Sequence, residues 1–365
     1  MPTLLKALEF RWRRVLLAAG HRPFAGRATA RAEELLRLPP RARILIIRLE
    51  RIGDVLVGVP VIRSLRGRYP DARIELLVSR PNRAAAAAVA PYVDRVWVYG
   101  KTVGSALRLL RALRRARYDA IVDLIDHPST TAQLVIRWCR PQAAVGLLHA
   151  EPGLYTHAAP TLDPSVAHPV ERFAQLLLPF GIDPAAESLD LEYPLTAADV
   201  AEANAVLGVG SRRRLGVNVS CRQAERFWGI VNYAGLIRTI MERHREFEVL
   251  VCGAPEHAPE VAQIAATTGA RAVPPRGTLT EFAAILHEFD IFVTPDTVAV
   301  HLAAAWKIPT VALYHPEPGV APWVPYHTRC RAVVGAPTVP GIPVTEVAAA
   351  VDDLIVECFE QPSTT

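Results

Sequence analysis

From residue 42 onward, short apolar runs alternate with amphipathic stretches, and this alternation constrains the fold more than any other feature of the sequence. The run "RILIIRL" (43–49) has no in-and-out alternation. That is the pattern of a strand covered by helices on both faces of a parallel sheet. "RIELLVS" (73–79), "DRVWVY" (94–99) and "DAIVDL" (119–124) read the same way. Helices are expected between them over 54–70, around 83–90 and over 103–118, the last being "VGSALRLLRALRRARY". The stretch 128–190 is less regular, with one further helix near 169–180. A second series follows, with strands at 214–220, 246–253, 290–295 and 309–315. Helices alternate with these at 231–244, 260–269, 279–289 and 298–307, and a last helix covers 343–360. Two βα series imply an α/β protein of two Rossmann-like, doubly wound domains, with a ligand in the crevice outside the carboxyl ends of the strands.

A chain of 365 residues is long for a single core, which agrees with two domains. The Pro- and Asp-rich segment "GIDPAAESLDLEYPLTAAD" (181–199) is the expected linker. The five cysteines are scattered and odd in number, with no C-x-x-C pair. Neither a disulfide framework nor a zinc site is suggested, and a reducing compartment fits. No apolar run is long enough for a spanning helix. Arg11, Arg13 and Arg14 break any signal-peptide core. The N-terminal stretch "LLKALEFRWRRVLLAAG" places Leu4, Leu5, Leu8, Trp12, Val15 and Leu16 on one helical face, with Lys6, Glu9 and the arginines elsewhere. Such a basic amphipathic helix over residues 3–19 suits an anionic membrane surface, or packing on the protein itself or another subunit. The net charge of +5 is carried almost wholly by arginine, without an aromatic-interleaved cluster, so no nucleic-acid partner is expected.

Four places could carry chemistry. In "RLERIGDVLVGVP" a carboxylate, Asp54, stands at a strand-to-helix turn where phosphate loops usually place glycine, with Gly53 just before it and Arg51 nearby. The helix dipole favours its charge, so it could act as a general base or simply cap the helix. Neither G-x-G-x-x-G nor a Walker motif occurs there. In "FVTPDTVAVHLAAA" (292–305) a strand ends at Pro295, and Asp296 and Thr297 open a helix. Its free N–H groups and the Thr297 hydroxyl make an anion site, with His301 on the same face either as a further donor or as a core residue. In "VSCRQAERFWG" (219–229) Arg222 and Arg226 could reach a phosphate, Arg226 being the better placed, or belong to a solvated loop. In "CGAPEHAPE" (252–260) Glu256 could accept from ribose hydroxyls or merely open a helix.

Strung together, these segments resemble one family. "RLERIGDVLVGVPVIRSLRGRYPDARIELLV" looks like the N-terminal signature of the lipopolysaccharide heptosyltransferases, glycosyltransferase family nine, and "GTLTEFAAILHEFDIFVTPDTVAVHLAAAWKIPTVALY" like their C-terminal signature. "AHPVERFAQLLLPFGI" (167–182) resembles the family's helix before the linker, and "ERFWGIVNYAGLI" its entry to the nucleotide domain. The resemblance runs from about residue 42 to 315, leaving out the first 40 residues.

The resemblance implies a GT-B fold, two Rossmann-like domains facing a central cleft. The N-terminal extension would cover 1–41, the acceptor-binding domain 42–190 and the nucleotide-sugar domain 191–342. A C-terminal segment, 343–365, would pack back on the first domain. It implies an inverting, metal-independent transfer of heptose from ADP-heptose as co-substrate, with no other cofactor. Asp54 falls on the family's base, with Arg51 and Gly53 on the acceptor side. Asp296, Thr297, Val298 and His301 fall on the "D-T-G-x-x-H" segment that holds the donor. Arg226 falls where a lysine binds the phosphates, Glu256 near a ribose contact and Thr278 in a loop near the base. The acceptor would be a glycan or glycolipid, and the location cytoplasmic, with the basic helix on the inner face of the membrane. Val298 replaces the family's usual glycine, and His315-Pro316 another glycine, so the donor pocket departs from the pattern. A transferase using another nucleotide sugar on a small-molecule or protein acceptor, a non-catalytic sugar-nucleotide-binding protein, and an epimerase of the same architecture stay open.

Overall fold

A computed structural model describes residues 30–31, 35–100, 102–127, 129–148, 154–208, 210–335 and 337–360. The expected basic helix at 3–19 lies outside the described residues. The chain divides into two compact units, one running to Leu189 and the other starting at Asp190.

The first unit holds β1 (Ala30–Arg31), β2 (Arg43–Arg48), β3 (Arg73–Ser79), β4 (Arg95–Tyr99), β5 (Ala120–Asp123), β6 (Ala143–Leu147) and β7 (His157–Ala159). They form one parallel sheet in the order β1-β7-β6-β5-β2-β3-β4. Ile44 to Ile47 are fully buried, as a strand with helices on both faces requires. The helices are α1 (Ile52–Val57), α2 (Val59–Arg68), α3 (Val103–Ala116), α4 (Thr130–Cys139) and α5 (Pro169–Ala174). Where the sequence expects one helix near 83–90, the chain forms a 3-10 segment, Pro81–Ala85, and a single α turn, Ala86–Val89.

The second unit holds β8 (Arg213–Asn218), β9 (Phe247–Cys252), β10 (Arg271–Ala272), β11 (Ile291–Pro295), β12 (Thr310–Tyr314) and β13 (Cys330–Val334). They are again all parallel, in the order β10-β9-β8-β11-β12-β13. Its helices are α6 (Ala197–Leu207), α7 (Ile230–Arg243), α8 (Ala258–Thr268), α9 (Leu279–His287), α10 (Val298–Ala305) and α11 (Val344–Ile355). α6 begins inside the expected linker, where Thr196 and Asp199 form a capping box.

Counted within its own unit, each sheet has the Rossmann order 3-2-1-4-5-6, with β1 added outside the first. In such sheets the connections leave in opposite directions on either side of one point, and a crevice opens there. That point lies between β2 and β5 in the first unit and between β8 and β11 in the second.

The C-terminal helix belongs to the second unit's core. α11 packs on α7 and β13. Val347, Val351, Leu354 and Ile355 are buried in the same core as Leu236, Ile240 and Val311. Apolar residues at i, i+4, i+7 and i+8 give the helix one buried stripe, which that core consumes. Asp352 adds an ion pair to Arg243 at 2.7 Å and a contact to His244 at 2.7 Å.

Candidate active site

At the switch point of the first unit, β2 ends at Arg48 and the chain turns into α1. Arg51 takes the N-cap position with an extended backbone. Gly53 and Asp54 are therefore the second and third residues of the helix, so Asp54 is not the N-cap residue. Its Oδ2 instead accepts the N–H of Arg51 at 2.6 Å, reaching back from the first turn. Capping and a chemical role are thus not exclusive, because Oδ1 is left for other partners.

One of those partners is Arg48. It is only 2% exposed although it ends an apolar strand. Its Nε donates to the Asp54 carbonyl at 2.9 Å and Nη1 to the Leu124 carbonyl. Its plane lies over the Phe173 ring, 4.3 Å from the centroid. Held this way, Nη2 stands 3.6 Å from Asp54 Oδ1, and Nη1 stands 3.8 Å from Glu50 Oε2. Burial pushes the Glu50 carboxyl up, with Arg48 opposing and the neighbouring Asp54 adding to the rise.

The adjacent strand adds more acid. Asp123 ends β5, wholly buried, and its Oδ2 accepts from the Tyr155 hydroxyl at 2.7 Å. Among the described residues Oδ1 has no hydrogen-bond partner. Burial raises this carboxyl to about 7, with Tyr155 and Arg48 opposing and Glu50 adding to the rise. Three residues on, Asp126 pairs with Arg172 from α5, and His127 stands 3.2 Å from Asp126 and 3.8 Å from Glu50. Burial works against the Asp126 charge, but Arg172, His127 and Arg48 outweigh it and hold the carboxyl below its usual range. The crevice is acidic, with Arg48 as the buried cation that its carboxylates share.

The second unit's switch point centres on an arginine shared by two carboxylates. Arg226, in the turn after β8, pairs with Asp296 after β11, and its Nη2 reaches Glu317 Oε1 after β12 at 2.7 Å. Thr297 is the N-cap of α10, its Oγ1 accepting from the Ala299 N–H at 3.3 Å. Val298, half-buried, is the first residue of the helix. His301 is 4% exposed, its ring 6.1 Å from that of Trp323. The Tyr314 hydroxyl holds Trp323 by its carbonyl at 3.0 Å. Beneath them, Asn218 at the end of β8 donates to Thr294 at 2.9 Å, tying the two strands that flank the crevice.

Arg226, Asp296, Thr297, Val298 and His301 therefore lie at one edge of one sheet. Glu256 is exposed in the turn after β9, the strand next to β8. Arg222 is exposed in the loop after β8. Thr278 caps α9: its Oγ1 accepts from Glu281 N–H at 3.2 Å while Glu281 Oε2 accepts from Thr278 N–H at 2.9 Å. Sequence reasoning did not find Arg48, Glu50, Asp123, Tyr155, Arg172, Glu317 or Trp323. A charged residue ending an apolar strand was the available signal for Arg48 and Asp123.

The sequence profile of glycosyltransferase family 9 (heptosyltransferase) matches residues 106–338, more than half of the chain. The chain belongs to glycosyltransferase family 9. It is accordingly a glycosyltransferase. A lipopolysaccharide heptosyltransferase 3 of Escherichia coli is 24% identical over 281 residues, covering 72% of this chain and 80% of that protein. Among solved structures, a family 9 glycosyl transferase from Veillonella parvula matches with a TM-score of 0.75 at 17% identity, over 89% of this chain and 100% of that one. The E. coli heptosyltransferase WaaC with ADP-2-deoxy-2-fluoro heptose matches with a TM-score of 0.65 at 19% identity, over 85% and 99%. The two Rossmann-like units are those of the GT-B fold.

Proposed function

We propose that the protein transfers heptose from ADP-heptose to a hydroxyl of a lipopolysaccharide core or a related surface glycan, with inversion and without a metal. In this reading the acceptor binds the first unit (42–190) and the donor the second (191–342). The observation that carries it is the division of labour between the two switch points. One presents a held carboxylate, Asp54, among further acids, and the other an arginine and a helix N-terminus suited to a diphosphate. The E. coli relative named for heptose transfer to lipopolysaccharide supports the substrate class, and WaaC's ADP-heptose analogue supports the donor.

The bonds balance without another reactant. Asp54 takes the proton of the acceptor O–H as its oxygen forms a bond to the anomeric carbon. The anomeric carbon–oxygen bond to the diphosphate breaks, and ADP leaves with the electron pair. Attack opposite the leaving group inverts the centre. The N–H groups of the first turn of α10, the Thr297 hydroxyl and Arg226 receive the charge that develops on the diphosphate. His301 and Val298 would line the sugar, Glu256 the ribose, and Arg51 and Gly53 the acceptor side. Thr278 is carried over from the family alone, since its hydroxyl is engaged in the α9 cap. A cytoplasmic enzyme touching the inner membrane face through residues 3–19 fits a lipid-linked acceptor.

The test incubates the protein with ADP-heptose, with and without a lipid-linked core acceptor. ADP release that requires acceptor, a product of opposite anomeric configuration by NMR, and indifference to EDTA are the expected outcomes. Nucleotide or epimerised sugar formed from donor alone would replace transfer with epimerase chemistry. A second reading, another nucleotide sugar, is favoured by Val298, whose branched side chain narrows the first turn of α10. A donor panel in the same assay separates the two.

A further inference from the structure

The opposite edge of the first sheet carries a feature that sugar transfer does not use. α3 and α4 run down to the amino ends of β5 and β6, and between their last turns lies a groove of about 460 Å³. It is lined by Arg111, Arg114, Arg115, Arg117 and Arg140, with Trp138 and Cys139. No acidic residue lines it, and among the described residues none of the five arginines forms an ion pair. The nearest carboxylate in sequence, Asp119, accepts from the Arg43 N–H at 2.8 Å and from Gln142 at 3.0 Å. Arginine at a helix C-terminus complements the negative end of the dipole. That accounts for one or two cations per helix, not for five around one groove. Arg117 and Arg140 also hold left-handed backbones, φ 52° and 51°, at C-cap positions where glycine would be unstrained.

A second basic stretch precedes β1 in the sequence. β1 is parallel to β7, and β7 to β6, so the chain enters β1 from the amino edge of the sheet. Residues 1–29, which precede it, contain Lys6, Arg11, Arg13, Arg14, Arg22 and Arg27 against one acid, Glu9. With strands about 4.8 Å apart, β1 and β6 are separated by roughly 10 Å.

We propose that this edge of the first unit docks on an anionic phospholipid surface, with the arginine groove taking phosphate headgroups. The groove holds one or two phosphates and is too small for a duplex backbone. Trp138 is half-buried and fixed in place: its Nε1 donates to the Leu110 carbonyl at 3.0 Å, its carbonyl accepts from Arg114, and its ring packs on the unit's own core. Docking by the amino edge sets the carboxyl edge one strand length, roughly 15–20 Å, above the lipid. If the proposed transfer holds, that height suits an acceptor sugar carried several residues out on a lipid-linked glycan. The docking itself stands on the groove and not on that reading.

The test is flotation of the full-length protein with phosphatidylglycerol-containing vesicles and with pure phosphatidylcholine vesicles. Wild type is expected to float with the first and not with the second. Arg111→Gln/Arg115→Gln is expected to lose about 25-fold in partitioning, near fivefold per arginine at an anionic surface. Arg111→Lys/Arg115→Lys, which keeps the charge, retains binding and controls for folding, as do unchanged melting temperatures. Arg11→Gln/Arg13→Gln/Arg14→Gln is expected to weaken binding but leave a preference for the anionic vesicles. Undiminished flotation of the Gln pair would overturn the proposal, as would loss of all binding in the N-terminal triple variant. Release of the protein from vesicles by short duplex DNA at equal phosphate concentration would assign the groove to nucleic acid instead.

Discussion

Replacing Asp54 by asparagine and by alanine separates its capping contact from the proposed role as base. Asparagine keeps an oxygen where Oδ2 accepts the Arg51 N–H at 2.6 Å, so the start of α1 remains capped. What it loses is charge. Arg48 then keeps its bonds to the Asp54 and Leu124 carbonyls, both backbone groups, and its approach to Glu50 at 3.8 Å. The cost in stability therefore stays near 1–2 kcal/mol, below the 3–5 kcal/mol typical of a buried ion left wholly unpaired. For a unit of this size that corresponds to roughly 2–8 °C in melting temperature. Alanine also removes the capping acceptor, adding about 1 kcal/mol. Catalysis responds differently. A general base contributes roughly 100- to 10,000-fold, or about 2.7–5.5 kcal/mol in the barrier. Both variants should thus lose at least two orders of magnitude in kcat, while the rise in melting temperature expected on adding ADP should be the same for the variants and for wild type. The assay is acceptor-dependent ADP release at saturating donor, run beside calorimetry. If Asp54→Asn keeps more than a tenth of wild-type kcat, Asp54 is a helix cap and the base lies elsewhere in the acidic crevice.

Asp123 gives a pH signature. Its carboxyl, raised from 3.8 to about 7, holds a proton in the folded state that the unfolded chain has released, so stability declines as pH climbs through that window. The loss reaches at most roughly 4 kcal/mol. Asp123→Asn, which mimics the protonated form and can still accept from Tyr155, should match wild type near pH 4 and exceed it at pH 8 in urea titrations; a variant weaker at pH 8 contradicts the argument. Gly146→Ala places a Cβ 2.2 Å from the Tyr155 ring and should cost about 1–3 kcal/mol while weakening the Tyr155–Asp123 bond, which opposes the rise of the Asp123 carboxyl, so melting should become more pH dependent. Arg226→Ala should raise the donor KM roughly 10- to 100-fold with a smaller effect on the acceptor KM, and Arg226→Lys should recover part of it; an effect confined to the acceptor would remove Arg226 from the donor site.

Eight strands could be read from the sequence because each is a short, largely apolar run, buried on both faces in β2 and β11 and half-exposed in the edge strand β4. β6 could not. Its sequence, "AAVGL", is made of small residues, because Gly146 must leave room for the Tyr155 ring that lies across it. α4 escaped for the opposite reason. Thr131 to Ile136 are all buried, so no polar face marks a helical period. Of the candidate site, Asp54, Asp296 and Thr297 stood out as polar residues at strand-to-helix junctions, and His301 as a polar residue one turn further on. Glu317 was not, since it meets Arg226 across 91 residues of sequence and only because β12 lies beside β11. Tyr155 reaches Asp123 across 32 residues for a similar reason, through a strand order that no local pattern encodes.

The arrangement around Arg226 has a consequence for which molecules can occupy that crevice. One guanidinium faces two carboxylates, Asp296 and Glu317, so the trio carries a formal charge of minus one before any ligand arrives. Inorganic phosphate or a stray nucleoside monophosphate meets a repulsive lock, not an open cationic trap. On the proposed donor reading, a ligand with further handholds along the strand ends would displace the carboxylates and claim the arginine. Selectivity against abundant small anions is thereby written into the resting state, ahead of any contact with the sugar.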